Sequence, residues 1–115
     1  MHELQLVKNI ISIIESETAD IKGDITAIYL EIGKLRYIVP ELLSSAFRYL
    51  PKEKKLERAR IEVAEIPVKV RCLECGSETV VDGVFYSCGK CRGDKTEIVS
   101  GKEFLVKGVE WEDGV

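Results

Sequence analysis

The chain has 115 residues, 45% hydrophobic and 32% charged, and its 17 basic against 20 acidic side chains leave a formal net charge of −3. That length suits one core carrying at most a small appended module, and the composition is too apolar for a disordered chain. The acidic balance offers no surplus of positive charge to displace counterions from nucleic acid, and no run of about 18 apolar residues is present to cross a membrane.

Leu4, Val7, Ile11 and Ile14 recur at helical spacing, with Ile10 widening the stripe and Gln5, Lys8, Ser12 and Glu15 on the opposite face. The spacing predicts an amphipathic helix over residues 3–17. After Gly23-Asp24, the stretch ITAIYLEIG (25–33) alternates, with Ile28, Leu30 and Ile32 on one side and Tyr29 and Glu31 on the other, as in a half-buried strand. Pro40 sits where a first helical position favours proline. Leu42, Leu43, Ala46, Phe47 and Leu50 then mark a second helix that Pro51 stops. The charged run PKEKKLER (51–58) reads as a solvated connection, and ARIEVAEIP (59–67) as a second strand.

Residues 68–102 hold all four cysteines and are poor in apolar side chains. VVDGVFY (80–86) reads as a hairpin around Asp-Gly. Past Gly101, KEFLVKGVEW resumes strand-like alternation, with Leu105, Val109 and Trp111 on one side. Two strands and two helices need a further strand for a viable sheet, so this last strand is expected to return to the N-terminal one. The expected fold is α+β: two helices on a small three-stranded mixed sheet, with an inserted zinc-ribbon-like four-cysteine domain. The main domain is then discontinuous, 1–67 and 103–115, and the cysteine domain is 68–102.

Cys72-x2-Cys75 and Cys88-x2-Cys91 form two CxxC knuckles separated by a twelve-residue spacer. Each knuckle aims two sulfurs at one point, and four thiolates make a tetrahedron suited to a structural Zn²⁺ with no position open to water. Spacing alone also admits iron. A thioredoxin-like redox pair is less apt, because it needs a single CxxC at a helix start beside a sheet. Lys69, Arg71, Lys90 and Arg92 flank the knuckles, either offsetting the charge of the thiolates or lying there as ordinary surface bases. The opening segment begins with acid and has no small-residue cleavage site. It is therefore not expected to be a secretory signal, and the protein is expected in the cytoplasm, where cysteines seldom pair.

Little else in the sequence points to catalysis. No glycine-rich phosphate loop occurs, and the only histidine is His2. A histidine at position two is ordinarily part of a solvated tail. Here, however, a helix is expected to begin at once. The α-amine, the His2 imidazole and the backbone nitrogens of His2 and Glu3 then lie within one short segment, a nitrogen donor set suited to Ni²⁺ or Cu²⁺.

Taken together, MHEL, AIYLEIGKL, VPELLSSAF, ARIEVAEIP and the CxxC…CxxC module, in that order, resemble the HypA/HybF family of hydrogenase nickel-insertion accessory proteins. The resemblance covers essentially the whole chain. It implies a nickel-binding α/β domain and a zinc domain in a protein that transfers an ion and is not an enzyme. It places transported Ni²⁺ on Met1 (through its amine), His2 and Glu3, and structural Zn²⁺ on Cys72, Cys75, Cys88 and Cys91. It further implies a HypB-type GTPase and the [NiFe] hydrogenase large subunit as partners and, in some bacteria, urease maturation. The second knuckle departs from the CPxCG of relatives: Gly89 replaces the proline, and the glycine after the knuckle is displaced by one, to Gly93.

Overall fold

The computed structural model describes residues 3–81 and 86–113. The elements run α1 (Glu3–Glu17), β1 (Gly23–Gly33), a 3-10 turn (Lys34–Arg36), α2 (Pro40–Tyr49), a second 3-10 turn (Lys54–Leu56), β2 (Arg60–Ile66), β3 (Val68–Cys72), β4 (Glu78–Val81), β5 (Thr96–Ser100) and β6 (Phe104–Asp113). They form two three-stranded sheets, ordered β2-β1-β6 and β4-β3-β5. The chain divides into two compact units: one of Met1–Leu30, Ile38–Ala64 and Val106–Val115, the other of Glu31–Tyr37 and Glu65–Leu105.

In the first unit α1 packs on α2. Val7, Ile10, Ile11 and Ile14 of α1, Ile25, Ala27, Ile28 and Leu30 of β1, and Leu43 and Phe47 of α2 are buried. The alternation along β1 changes phase between Ala27 and Ile28, where neighbouring residues are both buried. The α1 stripe is shifted from the sequence expectation: Leu4 is half exposed, and Leu6 takes the buried place. Pro40 begins α2 as expected. The helix ends at Tyr49 because Leu50, held before Pro51, is extended (φ −81°, ψ 144°). The last strand does join the N-terminal sheet beside β1. Phe104, Val106, Gly108 and Val109 are half-buried; of the face predicted from Leu105, Val109 and Trp111, only Val109 is covered, and Leu105 and Trp111 are exposed.

The charged run 51–58 is only in part a solvated connection: Lys52, Lys55 and Leu56 turn inward. Leu56 is fully buried. The Lys52 ammonium donates to the carbonyls of Phe47 (2.6 Å) and Leu50 (2.8 Å) at the end of α2, and lies 4.7 Å from the centroid of the Phe47 ring. Lys55 donates to the carbonyl of Thr18 just past α1, and the Glu53 backbone N–H donates to the Glu15 carboxylate at 2.7 Å. Helix C-termini leave carbonyls without intrahelical donors, and an ammonium there satisfies them and complements the helix dipole. Two of the charges counted as solvent-facing in the sequence, Lys52 and Lys55, therefore close the helices, while Lys54, Glu57 and Arg58 are exposed as expected.

In the second unit β3 pairs antiparallel with β4 (Val68 opposite Val81, Arg71 opposite Glu78) and with β5 (Val70 opposite Ile98, Cys72 opposite Thr96). Ile32, Val68, Val70, Cys72 and Cys88 form its small buried set. Strands β3 and β5 were not predicted. VKVRC alternates, but over only five residues, beside cysteines that suggested a metal-held loop. The hairpin expected at 80–86 falls largely outside the described residues; its first arm is the end of β4. Gly33 and Gly101 meet closely: a Cβ on Gly33 would stand 2.0 Å from the Gly101 carbonyl, and Gly101 itself has φ +114° with Val68 Cα 3.0 Å from where its Cβ would be.

Candidate metal centre

The four cysteine side chains converge. Their Sγ atoms all lie within 4.8 Å of one another, with Cys72 and Cys91 3.5 Å apart and Cys75 and Cys88 3.6 Å apart. Four sulfurs held at about 2.3 Å from a tetrahedral zinc are separated by about 3.8 Å, so this spacing fits a four-coordinate thiolate site. None of the four is in a disulfide. Cys72 and Cys88 are buried, and Cys75 and Cys91 are exposed.

The two knuckles repeat one backbone design. Gly76 N–H donates to the Cys72 carbonyl and Arg92 N–H to the Cys88 carbonyl (2.9 and 3.0 Å). The Cys72 and Cys88 N–H groups donate in turn to the carbonyls of Ser77 and Gly93, both at 2.9 Å. Such a turn needs a left-handed residue after its second cysteine: Gly76 has φ +75°, and Arg92, in the equivalent place, has φ +60°. The displaced glycine noted in the sequence thus puts a side chain where glycine is favoured. Gly89 also has a specific role. Its N–H donates to Thr79 Oγ1 at 3.1 Å, and a Cβ there would press on Thr79 Cγ2 at 3.1 Å.

Backbone donors surround the sulfurs. Cys75 N–H points to Cys72 Sγ (3.4 Å), and Lys90 and Cys91 N–H point to Cys88 Sγ (3.3 and 3.4 Å). Hydrogen bonds from the Ser77 side chain and backbone hold the Cys75 thiol down at about 6. The backbone N–H groups of Cys91 and Lys90 lower Cys88. At Cys91 the Gly93 backbone pulls downward, but the neighbouring sulfurs of Cys72, Cys88 and Cys75 outweigh it and push the thiol up to about 12. Four negative sulfurs at this distance repel, and one keeps its proton until a cation replaces it. Two of the four flanking bases are paired with carboxylates of their own sheet. Lys69 pairs with Glu78 (3.8 Å), and Arg71 with Glu78 (3.4 Å) and Glu97 (2.9 Å).

Met1, His2 and the Glu3 side chain lie outside the described residues; α1 begins at Glu3, the last residue of the predicted nitrogen donor set.

A family model described as "Hydrogenase/urease nickel incorporation, metallochaperone, hypA" matches residues 1–111. The chain belongs to the HypA family. Among relatives in that family, the hydrogenase maturation factor HypA of Desulfatibacillum aliphaticivorans is 36% identical, over 98% of this chain and 88% of that protein. The HypA of Moorella thermoacetica is 33% identical over 97% of this chain and all of its own length. Solved HypA structures share the fold. The solution structure of the Ni metallochaperone HypA from Helicobacter pylori aligns with a TM-score of 0.66 at 21% identity, covering 99% of this chain and 100% of that one. A second HypA solution structure aligns at 0.74 and 20% identity, covering 99% and 98%.

Proposed function

We propose that this chain is a nickel metallochaperone that binds Ni²⁺ at its N-terminus and helps deliver it to the large subunit of [NiFe] hydrogenase. The observation that carries this reading is the family match, which starts at residue 1 and so includes Met1-His2-Glu3. In this reading the Met1 amine, the His2 imidazole and the Glu3 segment hold the ion. It is cargo, received and released in cooperation with a HypB-type GTPase, and the protein catalyses no covalent step. Residues 1–67 and 103–115 form the nickel-binding domain, residues 68–102 form the zinc domain, and the protein works in the cytoplasm. Among the described residues no helix is long and apolar enough to cross a membrane. Urease maturation is a second destination, as the family description includes it.

Cys72, Cys75, Cys88 and Cys91 hold a structural Zn²⁺ in this proposal. Tetrathiolate spacing and the absence of an open position suit zinc, whose charge neutralises the sulfurs and ties the two knuckles together. The deciding experiment is nickel titration of the wild type against His2→Ala, with zinc measured in parallel. The substitution is expected to abolish stoichiometric nickel binding while zinc content and melting behaviour survive. Equal nickel affinity in both proteins would remove His2 from the site. Extra residues ahead of Met1, which convert its amine to an amide, are expected to weaken nickel binding as well.

A further inference from the structure

A cleft of about 410 Å³ opens between the second half of α2 and the segment leading into β2. Ser44 and Arg48 stand on its helix side, Glu57, Arg58 and Arg60 on the other, and Ile61 supplies apolar surface. Three guanidiniums and one carboxylate leave the cleft with a local excess of positive charge in a chain whose net charge is −3. Arg60 is already engaged: its Nε lies 3.6 Å from the Glu62 carboxylate, and its Nη2 donates to the Tyr29 hydroxyl at 3.4 Å. Arg48 and Arg58 are exposed, and among the described residues neither takes part in an ion pair.

We propose that this cleft docks an acidic segment of a protein partner, seating Asp or Glu carboxylates on Arg48 and Arg58. A guanidinium matches a carboxylate bidentately and is weakly hydrated, so two free arginines at one cleft suit a ligand of one or two carboxylates. Ser44 and Ile61 offer a hydroxyl and an apolar surface to the stem of such a side chain. A polyphosphate fits less well. No glycine lines the cleft to bring backbone N–H groups onto phosphate oxygens, and Glu57 opposes a concentrated negative charge. A nucleic acid finds no stacking surface, because the Phe47 ring is buried beneath Lys52, and the chain as a whole repels a polyanion. The inference uses no property of either metal site and stands whether or not nickel binds at the N-terminus.

The test uses the full-length, zinc-loaded protein and a short fluorescein-labelled peptide with an Asp-Glu-Glu run in a serine-threonine background. Fluorescence anisotropy at low salt is expected to show binding that weakens as salt rises. A glutamine-asparagine twin of the peptide should bind about tenfold more weakly or worse, and Arg48→Ala with Arg58→Ala should cost a similar factor. Glu57→Gln should tighten binding, because it removes the one opposing charge. Thermal melting of each variant checks that the fold is intact. The proposal is overturned by no binding to the wild type, by equal binding of the two peptides, or by unchanged affinity in the folded double variant. It is also overturned if inorganic tripolyphosphate or a single-stranded oligonucleotide displaces the peptide at a lower concentration than unlabelled acidic peptide does.

Discussion

Truncating Leu56 to alanine is expected to destabilise the first unit by about 3–4 kcal/mol. The side chain sits between Lys54, Lys55, Glu57 and Arg58, yet none of its surface is exposed. Removing three carbons forfeits roughly 2.4 kcal/mol at about 0.8 kcal/mol per buried methylene, and the hole left behind adds about 1 kcal/mol more. For a unit of this size each kcal/mol lowers the melting temperature by roughly 4–8 °C, so a fall of roughly 15 °C or more is expected. Urea unfolding followed by circular dichroism measures the change, with zinc content assayed alongside to show that the cysteine site is untouched. Leu42→Ala is the control. Leu42 is 49% exposed on α2, and its loss should cost no more than about 1 kcal/mol. If the two substitutions cost the same, or if Leu56→Ala costs less than about 1 kcal/mol, the 51–58 segment is a solvated connection after all and the capping account fails with it.

The second unit supports further tests. Arg92→Gly should raise resistance to a competing chelator, because it frees the second knuckle from a left-handed arginine worth roughly 1 kcal/mol; Gly76→Ala should lower it by a similar amount. Gly89→Pro restores the proline common in relatives, but here it deletes the N–H donated to Thr79 and crowds that side chain. Metal retention measured by chelator competition should therefore fall, and an unchanged or improved value would show that the Thr79 contact is dispensable. Stripping the metal should collapse the amide dispersion of residues 68–100 in an NMR spectrum, since Val68 and Val70 are too small a core to hold three strands alone. Tyr29 donates to Glu110, which raises its pKa above 10; the folded state then holds that proton more tightly than the unfolded chain does. The contribution is complete below pH 10 and disappears as pH rises through the folded value, so Tyr29→Phe should flatten the loss of stability on the alkaline side.

Elements that carry a full period of their pattern were legible in the sequence. The α1 stripe spans four turns, β1 alternates from Ile28 to Ile32, and Pro40 marks the first turn of α2; each begins or ends within two residues of its predicted bounds. The four cysteines were legible because two equal spacings leave little freedom for where the sulfurs go. What failed was the reading of coverage. Periodicity says which side chains share a face, but not how far the neighbouring element extends over that face. Leu4, Leu42 and Trp111 therefore lie exposed at the ends of faces whose middles are buried. The run 51–58 failed for another reason. A lysine that caps a helix and a lysine in water look alike in one dimension, and the single leucine among them gave no period to detect. Strand β3 was hidden by its brevity, and the Arg48–Arg58 cleft by the stretch of chain, residues 49–56, between its two walls.

The meeting of Gly33 and Gly101 limits how this sequence can vary. A methyl group on Gly33 overlaps a carbonyl, and one on Gly101 meets Val68 in a backbone conformation that L-residues avoid. The obstacle at Gly33 is backbone and has no smaller form to retreat to; at Gly101 the positive φ disfavours any side chain even where Val68 is made smaller. In a saturation library both positions should return only glycine, while the exposed arginines of the cleft vary without loss of the fold. The pair is a fixed point that pins the end of β1 to the chain leaving the cysteine sheet.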